Sequence, residues 1–285
     1  MQQFTSMEIK MKTILSLILL LLSFVAVSQT TDYQQWVQKS MQYIDGNKLD
    51  SASFALKKAM SLDPANENNP VLLLNLGILQ RQLRLYDDAY ISFTASLSGS
   101  DNSSLVLHNR ASLLVDLGRY DEAMEDYNEV LKQDPDDVEA YYRRGLLFLE
   151  KGDRTAAEAD FLAAENSDPD HLFTKLSKAL LYKLDGNWAE AEKLYSDIIS
   201  TEEKENSVYY LNRAECYLNT AQVSKAATDI HAIERDERNN PYFYILRGRL
   251  RLEQFDKFAA KADFEKAKEL GYDPEISDEW IKKAQ

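Results

Sequence analysis

Seven alanines, Ala52, Ala89, Ala123, Ala157, Ala191, Ala226 and Ala260, stand 37, 34, 34, 34, 35 and 34 residues apart along a chain of 285 residues. A period of that length leaves few architectures open, because each unit is one supersecondary piece that cannot bury its own apolar face and must stack on its neighbours to make a core. Four residues after each alanine comes a bulky side chain: Leu56, Phe93, Tyr127, Phe161, Tyr195, Ile230 and Phe264. Twelve residues before it comes a small one: Ser40, Gly77, Ala111, Gly145, Ala179, Ala214 and Gly248. The spacing of four places alanine and bulky residue on one helical face. Small residues at both places let two antiparallel helices approach closely while the bulky side chain fills the space beside the contact. Each unit is therefore expected to be a helical hairpin.

The turn inside the hairpin is also written in the sequence, as in Gly118-Arg119-Tyr120-Asp121-Glu122-Ala123 and Gly186-Asn187-Trp188-Ala189-Glu190-Ala191. The copy at 138–171 carries Tyr141, Gly145, Phe148, Gly152, Ala157, Phe161, Ala164 and Pro169. With these residues the chain resembles the tetratricopeptide repeat family. The copies tile as 33–66, 70–103, 104–137, 138–171, 172–205, 207–240 and 241–274, with extra residues only at Glu67 to Asn69 and at Asn206. The resemblance implies an all-α fold, a right-handed α-solenoid of seven hairpins. Departures are Leu56 in the first copy, and Ile230 with Ala221-Gln222 at the turn of the sixth. Asp273-Pro274 has the pattern of an N-cap and first helical residue, so residues 274–285 are expected to form a helix that caps the last exposed face.

The N-terminus reads as an address. Lys10 and Lys12 precede an apolar run from Ile14 to Val27, and Ala26-Val27-Ser28 supplies the small residues of a cleavage site. The run is shorter than the ~20 residues of a membrane-spanning helix. Residues 1–28 are therefore expected to be a signal peptide, with translation starting at Met1, Met7 or Met11, and residues 29–285 a single exported solenoid, periplasmic or secreted; an uncleaved anchor is the alternative. Cys216 is the one cysteine and lies far from that run, which excludes a lipid-anchored N-terminus and an internal disulfide.

With 33 Lys and Arg against 47 Asp and Glu, the net charge of −14 repels phosphate backbones and argues against a nucleic-acid partner. Enzyme chemistry finds no constellation. His108, His171 and His231 occupy unlike repeat positions with no metal-ligand spacing, and the acidic pairs Asp87-Asp88 and Asp121-Glu122 sit where a helix dipole favours them. No cofactor and no metal is expected, and the chain is read as a non-catalytic scaffold for protein partners.

In the resembled family the first helix of each hairpin lines a concave face. The sixth position of each copy there reads Gln38, Asn75, Asn109, Arg143, Ser177, Asn212 and Leu246. Asparagine both donates and accepts, which suits the backbone of an extended peptide. Carried over residue by residue, the groove candidates are Asn75, Arg81, His108, Asn109, Tyr142, Arg143, Phe173, Asn212, Tyr242 and Arg249. The clamp with which chaperone-binding members hold a C-terminal carboxylate is broken, since Leu74, Ile78 and Glu139 replace three of its residues. Two readings follow: an envelope adaptor that binds a segment of another protein, or a self-associating structural subunit.

Overall fold

A computed structural model describes residues 31–99, 103–202 and 206–285, so the expected signal peptide lies outside the described residues. The described residues form fifteen α-helices and no strand. They pair as hairpins: α1 (Asp32–Asp45) with α2 (Leu49–Leu62), α3 (Asn69–Gln82) with α4 (Tyr86–Leu97), and α5 (Ser103–Asp116) with α6 (Tyr120–Gln133). These are followed by α7 (Val138–Glu150) with α8 (Arg154–Ser167), α9 (Leu172–Leu184) with α10 (Trp188–Thr201), α11 (Ser207–Asn219) with α12 (Val223–Ile233), and α13 (Pro241–Glu253) with α14 (Lys257–Glu269). A last helix, α15 (Pro274–Lys283), starts at Asp273, whose carboxylate accepts from the amides of Glu275 and Ile276. The helical-hairpin class expected from the period is the one found. Of the described residues, 31–140 belong to one compact unit and 141–285 to another.

In both units the repeated alanines are fully buried. Where the small residue twelve positions earlier is glycine, it meets the bulky one directly. A Cβ added at Gly77 would lie 2.6 Å from the Phe93 ring, at Gly145 2.3 Å from Phe161, and at Gly248 2.4 Å from Phe264. No side chain fits in that space, so the glycine is what lets the ring seat fully, and a buried phenyl contributes roughly 2–3 kcal/mol. In residues 31–140 the core gathers around Leu56, Leu72 and Leu79 and around Phe93, Val106 and Leu113. In residues 141–285 it gathers around Tyr142, Phe161 and Ile198 and around Ile230, Leu246 and Phe264, where Trp280 of α15 stacks on Phe264 at 5.6 Å.

The seven turns share one backbone device. Asn47, Arg84, Gly118, Gly152, Gly186, Ala221 and Phe255 all have φ between 53° and 78°, the left-handed region that reverses the chain between helices. Glycine enters it freely, whereas other residues are strained there by ~1–2 kcal/mol.

A second tie within the hairpin was not read from the sequence. Arg110, Arg144, Arg213 and Arg247 each donate from Nε and Nη2 to both oxygens of an aspartate sixteen residues on: Asp126, Asp160, Asp229 and Asp263. The distances run from 2.6 to 3.0 Å. The aspartates are almost fully buried and the guanidinium lies against aromatic rings, as Arg144 does against Tyr141 and Phe148. This fork-to-fork geometry is the strong form of an ion pair and fixes the angle between the two helices.

Candidate interaction surface

Within residues 31–140, the first helices carry Asn75, Arg81, His108 and Asn109 into separate surroundings. Asn75 is buried in α3. Arg81 Nε donates to Asp116 Oδ2 at 2.5 Å, tying the end of α3 to the end of α5. His108 Nε2 lies 2.9 Å from Asp137 Oδ2 with its ring tilted on Tyr127, while Asp137 Oδ1 accepts from the amide of Ala140 at 2.7 Å at the start of α7. Burial opposes the charge on Asp137, but the His108 contact and the amides outweigh it and hold the carboxyl below its ordinary range. Asn109 turns one amide hydrogen back to Leu105 O at 2.8 Å.

Within residues 141–285, two groups of candidates come together. Tyr142 is buried and stacks on Phe173 at 5.2 Å, and the Arg143 guanidinium lies 5.5 Å from the same Phe173 ring. The result is a half-buried ring fixed from below by core and covered by a cation, an arrangement that receives apolar and anionic groups together. The second group surrounds Glu215 on α11. Lys183 Nζ reaches Glu215 Oε2 at 2.5 Å and Asn212 Oδ1 at 2.6 Å, and Asn212 also donates to Val208 O at 2.8 Å. Tyr242 lies buried beside this carboxylate, and Arg249 donates to Asn219 Oδ1 at 3.1 Å while resting on Trp280. Burial disfavours a charged Glu215, yet Lys183, Tyr242 and Arg249 together hold its carboxyl below the usual range.

Neither Lys183 nor Glu215 is among the groove candidates carried over from the family. Their pairing was readable only as a register coincidence between successive first helices. The structure also explains the sixth position, since Asn109, Asn212 and Ser177 each donate to the carbonyl four residues back. Three such side chains are thus partly or wholly committed to their own helix. Tyr142, Asn212 and Tyr242 act as walls behind the surface, whereas Arg143, Phe173 and Arg249 retain exposure. The Cys216 thiol is buried and pushed up to about 12 by that burial, so it stays protonated at neutral pH. Among the described residues no three His, Cys, Asp or Glu side chains converge as a metal ion requires, and no helix is long and apolar enough to cross a membrane.

Paired helices in a 34-residue rhythm, with a small-residue hole and a bulky knob in each, define a helical-repeat interaction scaffold. Family models for the TPR repeat match residues 111–152, and for the tetratricopeptide repeat residues 34–66 and 138–171. The crystal structure of a tetratricopeptide repeat protein from Parabacteroides merdae ATCC 43184 is similar at 35% identity, covering 88% of this chain and 98% of that one with a TM-score of 0.66. The chain belongs to the tetratricopeptide repeat family. Two further solved structures share the fold at lower identity. Pseudomonas aeruginosa PilF matches at 17% identity, over 74% of this chain and 94% of that one, TM-score 0.55; PilW, a type IV pilus biogenesis factor, matches at 19%, over 76% and 98%, TM-score 0.56. No curated protein matches the sequence. Proteins of this family generally mediate protein–protein interactions, and that coarse function is this chain's.

Proposed function

We propose that the protein is a non-catalytic adaptor of the bacterial cell envelope that holds a segment of a partner protein against the first helices of residues 141–285. The observation that carries this reading is the Arg143 guanidinium poised over Phe173, itself stacked on the buried Tyr142. A rigid aromatic with a cation beside it is the kind of anchor that concentrates binding energy in a few side chains. The export half of the reading rests on Lys10, Lys12, the apolar run that follows and Ala26 to Ser28. Expressed with its own leader, the protein is expected in the periplasm or medium, beginning near Gln29 by mass spectrometry. An intact leader in the membrane pellet would show an anchor instead.

The binding half is tested by crosslinking and pull-down from the native envelope, followed by titration of the captured segment. Arg143→Ala is expected to weaken binding by ~1.5–3 kcal/mol if it meets a charged group. Glu125→Gln, on a second helix, is the control. Loss of binding in Glu125→Gln with none in Arg143→Ala would move recognition to the other face.

A further inference from the structure

The seventh hairpin departs from the other six at its turn. At the left-handed position the first six hold Asn47, Arg84, Gly118, Gly152, Gly186 and Ala221, and the seventh holds Phe255. Three residues on, the six hold Asp50, Asp87, Asp121, Thr155, Ala189 and Ser224, and the seventh holds Phe258. Phe255 is 92% exposed and Phe258 89%. The repeat gives neither ring a packing role, since six copies form the same turn without them. A bulky residue at φ 63° strains the turn, and two phenyls left in water gain nothing on folding. Such residues become favourable only when a partner covers them.

The surroundings of the two rings select that partner. Glu253 and Asp256 are exposed beside them with Lys257, on a chain of net charge −14, which suits neither an anionic bilayer nor a nucleic acid. The complement lies on the first hairpin. Phe54 on α2 is 59% exposed and edge-on to Trp36 at 5.8 Å, with the Lys39 ammonium 4.3 Å from the Trp36 ring. Lys57 and Lys58, one helical turn beyond Phe54, are exposed on the same face. Ile91, at the matching position of the second hairpin, is 64% exposed as well.

We propose that Phe255 and Phe258 of one copy seat on the Trp36–Phe54 surface of a second copy, with Glu253 and Asp256 meeting Lys57 and Lys58. The two patches differ, so association closes as a two-fold dimer where both patches meet reciprocally and otherwise propagates into rings or open chains. This goes beyond the adaptor reading and does not depend on it.

The test is sedimentation velocity of residues 29–285 from low micromolar to several hundred micromolar. The wild type is expected to grow with concentration. Phe255→Gly/Phe258→Ser, which relieves the turn and leaves the core untouched, is expected to weaken association at least ~tenfold with an unchanged helical circular dichroism spectrum. Phe54→Ser/Lys57→Glu is expected to do the same from the other side. Mixed, the two variants contribute one intact patch each and should form a dimer that stops there. Arg143→Ala should self-associate like the wild type, which separates this contact from the partner-binding surface. A wild type monomeric throughout, or oligomers unchanged in both double variants, overturns the proposal. So does retention on phosphatidylglycerol vesicles that Phe255→Gly/Phe258→Ser abolishes, which would place the rings in a bilayer.

Discussion

At Gly145 the whole repeat depends on a missing methyl group. A Cβ there would lie 2.3 Å from Phe161 Cε1, far inside contact distance, so either the ring or the helix has to move. Gly145→Ala is expected to destabilise by ~1–3 kcal/mol, as overpacking of a close-packed core does, read as a lower melting temperature. Phe161→Leu in the same background should recover part of the loss, and no shift in either variant would mean the contact is not tight. The Arg144–Asp160 fork lies sixteen residues apart in the same way and calls for a paired test. Asp160→Ala removes the buried carboxylate that the Arg144 fork grips and is expected to cost about 3 kcal/mol, whereas Arg144→Met with Asp160→Leu should recover most of it. Equal losses in the single and double variants would show that shape, not charge, holds the position. The glycine–phenylalanine match was legible in the sequence because volume alternation has only one use inside a hairpin. The arginine–aspartate match recurs at the same separation in four copies, yet charges read as surface until the facing helix is considered.

At the scale of the helix and its turn, the sequence marked the third, fourth and fifth turns by their glycines and left the others uneven. The structure shows one conformation in all seven, imposed by closure of the hairpin even on Arg84 and Ala221. Turn chemistry was therefore overridden by packing between helices, which is why the absence of glycine in the sixth copy did not signal a different turn. Ala221→Gly and Arg84→Gly are each expected to raise stability by up to ~1 kcal/mol in chemical denaturation, and Gly152→Ala to lower it by a similar amount. The opposite signs distinguish relief of strain from a general effect of flexible turns. The first helices were harder to read than the turns. Each meets its own hairpin and the neighbouring ones, so a polar or aromatic residue on it has two buried directions, and Tyr142 and Tyr242 lie in the core rather than on the surface expected of them.

At the scale of the whole molecule, the Glu215 cluster joins three successive hairpins through Lys183, Asn212 and Arg249. Because its folded carboxyl lies below the ordinary value near 4.5, the cluster's contribution is full above that value and is lost as pH falls through the folded one. The wild type is expected to lose melting temperature more steeply below about pH 4.5 than Lys183→Met/Glu215→Gln, in which that titration is gone. Superimposable pH profiles would show that the pair carries no linkage. The Arg–Asp forks behave differently, since both partners of each bidentate pair sit in one hairpin, although Arg110, Arg213 and Arg247 also reach Thr94, Ser196 and Glu234 of the preceding copy. Under gene duplication or excision the bidentate pair itself travels with its own copy. A cut that removed α11 and α12 would instead carry off Asn212 and Glu215 and abandon the Lys183 ammonium in the interior. The length of this chain is thus not equally free everywhere: loss of one hairpin spares the bidentate pairs of the others, whereas the fifth, sixth and seventh share a charged cluster that none of them carries whole.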